Sequence, residues 1–292
     1  MSGLLAQMTQ SSQTRLEEAR ARVPEKALWA RACDMPLAPP LRLSPEGFDV
    51  IAECKLHSPS AGDLSANTTD VESRVTDYAC GGACAVSVLT EPLRFGGKLE
   101  DLTKAARVLT PHNVPVMRKD FLIDPYQVIE GRVAGAGGVL VIVRMLDKSR
   151  ITALLDCAAM LKMFVLLEAF DAADLQIARD VLALRRRHDE QILVGLNCRD
   201  LDKLTVDFSR LDELADSMPV GFAPVAESGV TSLADVRKVV QLGYRVALVG
   251  TTLMHSPTPR DLLGEMLATG RETAMSISTR KLRIAKGEVS EG

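Results

Sequence analysis

Val50-Ile51-Ala52-Glu53-Cys54-Lys55 is the stretch whose reading decides the fold. A short apolar run ends abruptly in charge, then turns through Leu56-His57-Ser58-Pro59-Ser60-Ala61-Gly62. Side chains alternate along a strand, so Glu53 and Lys55 point to the same side. An acid and a base on one face at the end of a buried strand are costly unless they pair or serve chemistry. A single such end does not separate those two uses. Recurrence does.

Working outward, apolar segments begin near Val50, Cys84, Pro115, Gly138, Phe164, Ile192, Phe222 and Arg245, at intervals of 23 to 34 residues. Each is short, rich in β-branched residues or Leu, and nearly continuous, as strands buried on both faces should be. Stretches of helical period lie between them, among them 124–134, 171–186 and 232–243. The alternation predicts an α/β chain, a (β/α)8 TIM barrel with extra N-terminal helices; eight such units need about 250 residues. An open doubly wound sheet would carry a G-x-G-x-x-G turn after its first strand. The nearest candidate, Gly135-Ala136-Gly137-Gly138, precedes a strand and reads as a helix-to-strand turn. Residues 3–33 are expected to be helical, with Leu16, Ala19, Val23, Ala27 and Leu28 as apolar stripe and a break at Pro24. Pro36, Pro39, Pro40 and Pro45 form an extended linker. The expected division is 1–47 for the helical extension and linker, 48–270 for the barrel, and 271–292 for a polar tail, frayed or an oligomer contact.

Of 292 residues, 47% are hydrophobic and 25% charged, as in an ordinary globular protein. The net charge of −3 leaves no basic surplus to neutralise phosphates, so no nucleic-acid partner is expected. No apolar run approaches the roughly 18 residues that span a bilayer, and no secretory leader is evident. The expectation is a cytoplasmic protein without a membrane partner, monomer or homodimer. Six cysteines lack a C-x-x-C pair and four histidines stand apart, which predicts buried free thiols, no metal site and no cofactor.

Barrel enzymes place their chemistry at the carboxyl ends of strands. Those ends here hold Glu53 and Lys55, Lys119, Glu168, Asn197 with Arg199, and Glu227. Each would need a partner once buried, and converging on one cup they satisfy one another and hold a polar substrate. Carboxylates facing lysines also drive protonation states apart, as acid–base catalysis requires. The last two loops, Glu227-Ser228-Gly229-Val230 and Gly250-Thr251-Thr252, bring small residues, hydroxyls and backbone N–H groups to neighbouring strand tops. Barrels commonly hold a phosphate there, against a short extra helix for which 251–255 is long enough. Ser228, Gly229, Gly250 and Thr251 are the candidate phosphate ligands, with Ser58 closing the site from the first loop. The expected ligand is a phosphorylated small molecule.

These residues sit within recognisable motifs. Ile51-Ala52-Glu53-x-Lys55-x-x-Ser58-Pro59-Ser60, Ser87-Val88-Leu89-Thr90-Glu91, Arg118-Lys119-Asp120-Phe121-x-x-Asp124-Pro125-Tyr126-Gln127, Gly195-Leu196-Asn197-x-Arg199-Asp200-Leu201, Glu227-Ser228-Gly229 and Leu248-Val249-Gly250-x-x-Leu253-Met254-x-Ser256-Pro257 resemble the indole-3-glycerol-phosphate synthase family, in family order, over about residues 48–260. The resemblance implies a lyase of tryptophan biosynthesis. Its substrate would be 1-(2-carboxyphenylamino)-1-deoxyribulose 5-phosphate, converted to indole-3-glycerol phosphate with loss of carbon dioxide and water. It implies Lys119 as general acid and Glu168 as base, with Lys55 a second acid or a partner of the substrate carboxylate. Glu53 and Glu227 would stabilise charge on the anilino nitrogen and hold the lysines. Asn197 and Arg199 would orient the substrate, and Phe121 with Leu and Ile side chains would sandwich its ring.

Three places depart from the family pattern. Ala169-Phe170-Asp171 stands where Val-His-Asp is usual, Thr251 where serine is common, and Asp63 where a neutral or basic residue is more usual. A paralogue acting on a modified anthranilate is therefore one alternative. Another sugar-phosphate barrel enzyme is the second: a phosphoribosylanthranilate isomerase needs a Cys/Asp pair at strand ends, and Cys54 and Cys198 are expected to point away from the cup.

Overall fold

All eight apolar runs are strands, and they close on themselves. The computed structural model describes residues 3–55, 57–58, 62–63, 70–183, 185, 190–201 and 203–285, with 57–58, 62–63 and 281–285 described by backbone only. The strands are β1 (Asp49–Cys54), β2 (Ala85–Leu89), β3 (Val116–Lys119), β4 (Gly138–Ile142), β5 (Phe164–Ala169), β6 (Ile192–Asn197), β7 (Ala223–Glu227) and β8 (Val246–Val249). Each pairs in parallel with its sequence neighbours, and β8 returns to β1 from Val246↔Asp49 to Val249↔Ala52. A barrel has no free edge, so every strand is buried on both faces and needs the near-continuous apolar sequence observed.

Register places the polar strand ends at one height. Glu53 lies beside Ser87, Leu89 beside Lys119, Ile142 beside Glu168, and Asn197 beside Glu227. Below them the barrel is packed with apolar side chains. A Cβ on Gly138 would overlap the ring of Phe164, so glycine there is what admits the aromatic plug. The turn from α6 (Pro125–Val133) into β4 needs Gly135, at φ 93°, a region that favours glycine.

The connections carry the helices that the spacing demands. α3 (Val71–Cys80) follows β1; α4 (Pro92–Phe95) and α5 (Leu99–Leu109) follow β2. α7 (Lys148–Met160), α8 (Ala172–Ala183), α9 (Ser209–Glu213) and α10 (Leu233–Gln241) follow β4 to β7 in turn. α11 (Thr251–His255) is the short extra helix expected after β8. N-terminal caps set several starts, including Asp124 before Pro125 and the reciprocal Ser232–Asp235 box of α10. No helix among the described residues is long and apolar enough to cross a membrane.

The N-terminal extension is two helices, α1 (Leu4–Arg22) and α2 (Glu25–Asp34), broken at Pro24 as expected. Of the predicted stripe, Leu16, Ala19, Val23 and Leu28 pack on the core. Leu5, Met8, Ser12 and Leu16 face inward on α1, whereas Ala27 is exposed. Ser12 was invisible as a core position because it is polar; its hydroxyl donates to Phe121 O at 2.6 Å and accepts from Gln127 Nε2 at 2.8 Å.

The tail is corrected more substantially. Pro259–Ala285 forms one helix, α12, so position 270 falls inside an element and residues 271–285 are not frayed. Gly270 sits where a Cβ would overlap the Phe48 ring, and Arg271 reaches Phe48 O and Asp49. Beyond it, among the side chains described, Ala274 and Ile277 pack on the core, a stripe too thin to stand out in a polar sequence. All six cysteines are free, but Cys33 and Cys80 are exposed, against the expectation of burial.

Candidate active site

The strand ends converge on a cavity of about 650 Å³ at the carboxyl-terminal mouth. Glu53, Lys55, Lys119, Phe121, Glu168, Asn197, Arg199, Glu227, Ser228, Gly229, Gly250 and Thr251 all line it. Ser58 is the one candidate left out: its side chain, like that of Asp63, lies outside the described residues. At the centre is the Lys119 ammonium, 3.3 Å from Glu227 Oε2, 3.5 Å from Glu168 Oε1 and 3.8 Å from Glu53 Oε2. Lys55 Nζ pairs with Glu53 Oε1 at 2.6 Å, as the two-residue spacing requires. Acids and bases from four strand ends thus share one hollow.

Their protonation follows from that crowding. Burial works against the charge on Lys119, but Glu168, Glu227 and Glu53 together outweigh it and raise its affinity for the proton. Burial also opposes the charge on Glu53, yet Lys55 and Lys119 hold its carboxyl below the ordinary range. Glu227 goes the other way. Its complete burial and the neighbouring Glu168 push it well above the usual carboxylate range, despite Lys119. The cup therefore sets a carboxyl with a raised affinity for its proton against a buried ammonium.

Glycine makes room for this arrangement. Glu227 Oε1 has no hydrogen-bond donor among the described residues and lies where a Cβ of Gly195 would be. Gly195→Ala should therefore displace Glu227 from Lys119 and lower kcat about 10²-fold, the cost of misplacing a reacting group by an ångström. Steady-state kinetics on the folded variant checks this; an unaltered kcat would show that Glu227 does not need this seat.

Asn197 is oriented on every side. Its Nδ2 donates to Glu168 Oε1 at 3.0 Å, while its Oδ1 accepts from Arg199 N at 3.0 Å and Ser228 Oγ at 2.9 Å. Its first work is to aim Glu168, and only the second N–H remains to meet a ligand. Arg199 Nη1 donates to Leu204 O at 3.1 Å, so part of that guanidinium holds the following loop. Ser228 takes φ 68°, unusual for a residue with a side chain, a backbone strain of the kind stored at functional sites.

The cavity is polarised. On the side of β2 to β4 the wall is apolar, with Leu4, Phe95, Phe121, Leu140 and Ile142. The Phe95 and Phe121 ring centroids lie 6.1 Å apart. The other half presents Lys55, Ser228, Gly229, Gly250, Thr251 and Thr252. Phe95, Leu4 and His255 line the cavity without having been singled out in the sequence. Phe95 was findable, since it ends α4 in the connection after β2, one of the two strand ends, with β4, from which no residue was taken. Leu4, contributed by α1, had no local signal.

Neither rival cysteine shares the hollow. Cys54 and Cys198 do not line it, and burial pushes their thiols up to about 12 and about 11. Among the described residues no three His, Cys, Asp or Glu side chains are grouped to hold a metal ion.

The sequence model of the family described as indole-3-glycerol phosphate synthase matches residues 5–266. The chain belongs to the indole-3-glycerol phosphate synthase family. It is 41% identical over 259 residues to the indole-3-glycerol phosphate synthase of Leifsonia xyli, covering 87% of this chain and 94% of that one. It is 36% identical over 262 residues to that of Streptomyces griseus, covering 89% and 93%. Among solved structures it resembles a 3-hexulose-6-phosphate synthase (TM-score 0.58, 19% identity, 76% of this chain and 99% of that one). It also resembles a thiamine phosphate pyrophosphorylase from Pyrococcus furiosus (TM-score 0.55, 14% identity, 78% and 97%). At such identity the likeness is one of fold. The synthase family's motifs are the ones that surround the cavity here.

Proposed function

We propose that the cavity binds 1-(2-carboxyphenylamino)-1-deoxyribulose 5-phosphate and closes it to indole-3-glycerol phosphate, releasing carbon dioxide and water. The observation that carries this reading is Lys119 among three buried carboxylates, between an apolar half and a hydroxyl-rich half. The anthranilate ring belongs against Phe95 and Phe121, and the phosphate against Ser228, Gly229, Gly250 and Thr251. The sugar carbonyl then comes to lie over Lys119.

Lys119 Nζ donates its proton to the carbonyl oxygen while the aromatic carbon bearing the carboxylate attacks the carbonyl carbon. That carbon loses its carboxylate as carbon dioxide, and the bonding pair restores the ring. The new hydroxyl leaves as water after taking a proton from Lys55 or the recharged Lys119, and Glu168 removes the proton that completes the indole. Glu53 and Glu227 stabilise positive charge at the anilino nitrogen. Balanced over one turnover, two protons go to oxygens and one returns to a base, so one proton must come from outside.

The direct test is growth of indole fluorescence when the folded protein is mixed with the carboxyphenylamino substrate; no growth at any substrate concentration sinks the reading. The phosphate placement has its own test. Thr251→Asp sets a carboxylate at the anionic end, where like charges in contact oppose each other by about 4 kcal/mol at an effective dielectric of 20. KM should rise more than tenfold with kcat little changed, and an unchanged KM would put the phosphate elsewhere. The altered segments Ala169-Phe170-Asp171 and Thr251 keep every proposed acid, base and hydroxyl, so the unmodified anthranilate derivative is the substrate to offer first.

A further inference from the structure

We infer that Arg74 is a positioning residue for the phosphate wall: from α3 it holds the carboxyl end of α11, and thereby sets how Gly250, Thr251 and Thr252 stand against Glu53 and Lys55. The inference rests on the reading above, in which those residues receive the phosphate. Arg74 is buried, 3% exposed, and does not line the cavity. Its Nη1 lies 3.2 Å from Leu253 O, in the last turn of α11, and 3.4 Å from Ser256 O, its cap. Terminal carbonyls of a helix have no partner within it, so an outside donor decides where that end rests.

Tyr78, one helical turn further along the same face of α3, completes the grip. Its hydroxyl is 3.3 Å from Glu53 O and 3.3 Å from Met254 Sδ. One face of α3 therefore touches both the strand end that carries Glu53 and the helix that walls the phosphate. Between them the clearance is small. A Cβ on Gly250 would overlap Glu53 Oε1 and stand 3.0 Å from Lys55 Nζ. A slight slide of α11 would alter the gap between the anionic handle and the lysine–carboxylate pair, while the apolar half on the other side of the barrel stayed in place. Burying a guanidinium is costly, and an apolar side chain would pack against α11 equally well. What Arg74 adds is a directional hold on two carbonyls.

The test compares wild type, R74Q and R74K for turnover of the carboxyphenylamino substrate, and for binding of inorganic phosphate and of anthranilate as probes of the two halves. In R74Q, KM and the phosphate Kd should rise about tenfold, with kcat within twofold and the anthranilate Kd unchanged. R74K, which retains the charge but reaches one carbonyl, should show a rise of about threefold, again confined to phosphate. If R74Q does not fold, R74K carries the test. Wild-type phosphate Kd in either folded variant, or equal weakening of phosphate and anthranilate, would overturn the inference. A wild type that neither turns over the substrate nor binds phosphate would overturn the functional reading itself, and the inference with it.

Discussion

Lys119→Met should lower kcat by about 10³-fold, within the 10²- to 10⁴-fold range that a positioned proton donor contributes. That corresponds to about 4 kcal/mol on the barrier. Substrate affinity should change far less, because the apolar half and the phosphate wall remain. The substitution has a second effect with its own signature. Glu53, Glu168 and Glu227 lie around one ammonium, at 3.8, 3.5 and 3.3 Å. Without it, like charges in a buried cup favour uptake of a proton by the carboxylates. The variant's residual activity should then depend on pH differently from wild type, with its base recovered only at higher pH. Steady-state fluorescence across pH, with circular dichroism to confirm folding, measures both effects. Turnover within threefold of wild type would mean that another group protonates the carbonyl.

Asp120→Asn should cost about 3–5 kcal/mol of stability, the loss typical of breaking a buried ion pair from one side. In a chain of this size that corresponds to a fall of roughly 10 °C in Tm. Asp120 is fully buried beside Lys119, and it binds four groups. Arg15 of α1 meets both of its oxygens, at 2.9 and 2.8 Å; Thr90 Oγ1 donates at 2.8 Å; Arg118 lies at 3.2 Å; and Phe121 N donates at 2.8 Å. An amide leaves two guanidinium groups facing a neutral partner and presents an N–H₂ where an acceptor is required.

The pH dependence of that loss has a definite sign. Burial opposes the Asp120 charge, but Arg118 and Arg15 hold its carboxyl at about 2, against an ordinary 3.8. Between those values the unfolded chain binds a proton that the folded protein does not, so stability falls as pH falls. The contribution, roughly 2 kcal/mol, is complete above about pH 5 and disappears toward pH 2. The gap in urea stability between wild type and Asp120→Asn should therefore narrow on acidification through that window. A constant gap would mean that Asp120 is held by packing and not by its charge.

The barrel and most of its site were legible in the sequence because both are local patterns. A strand buried on both faces is a short apolar run, and its carboxyl end is where that run meets Glu53, Lys119, Glu168, Asn197 or Glu227. Eight such runs at nearly even spacing leave few topologies other than a closed ring. Period-two alternation also placed Glu53 and Lys55 on one side, and their 2.6 Å pair bears that out.

What the tertiary structure alone decided are meetings between distant residues that leave no periodic trace. Arg15 and Asp120 are 105 positions apart, Ser12 and Phe121 109, and Arg74 and Leu253 179. Nothing near Ser12 marks it as a buried donor, and nothing near Gly195 shows that Glu227 needs its missing Cβ. The continuation of α12 past Gly270 was hidden for the same reason, since Phe48 and Asp49 supply its contacts from the opposite end of the chain. The sequence by itself therefore determined which residues stand at the mouth of the barrel. Their distances, protonation and supports were decided by side chains that fold closure brings together, because those interactions depend on separation in space and not along the chain.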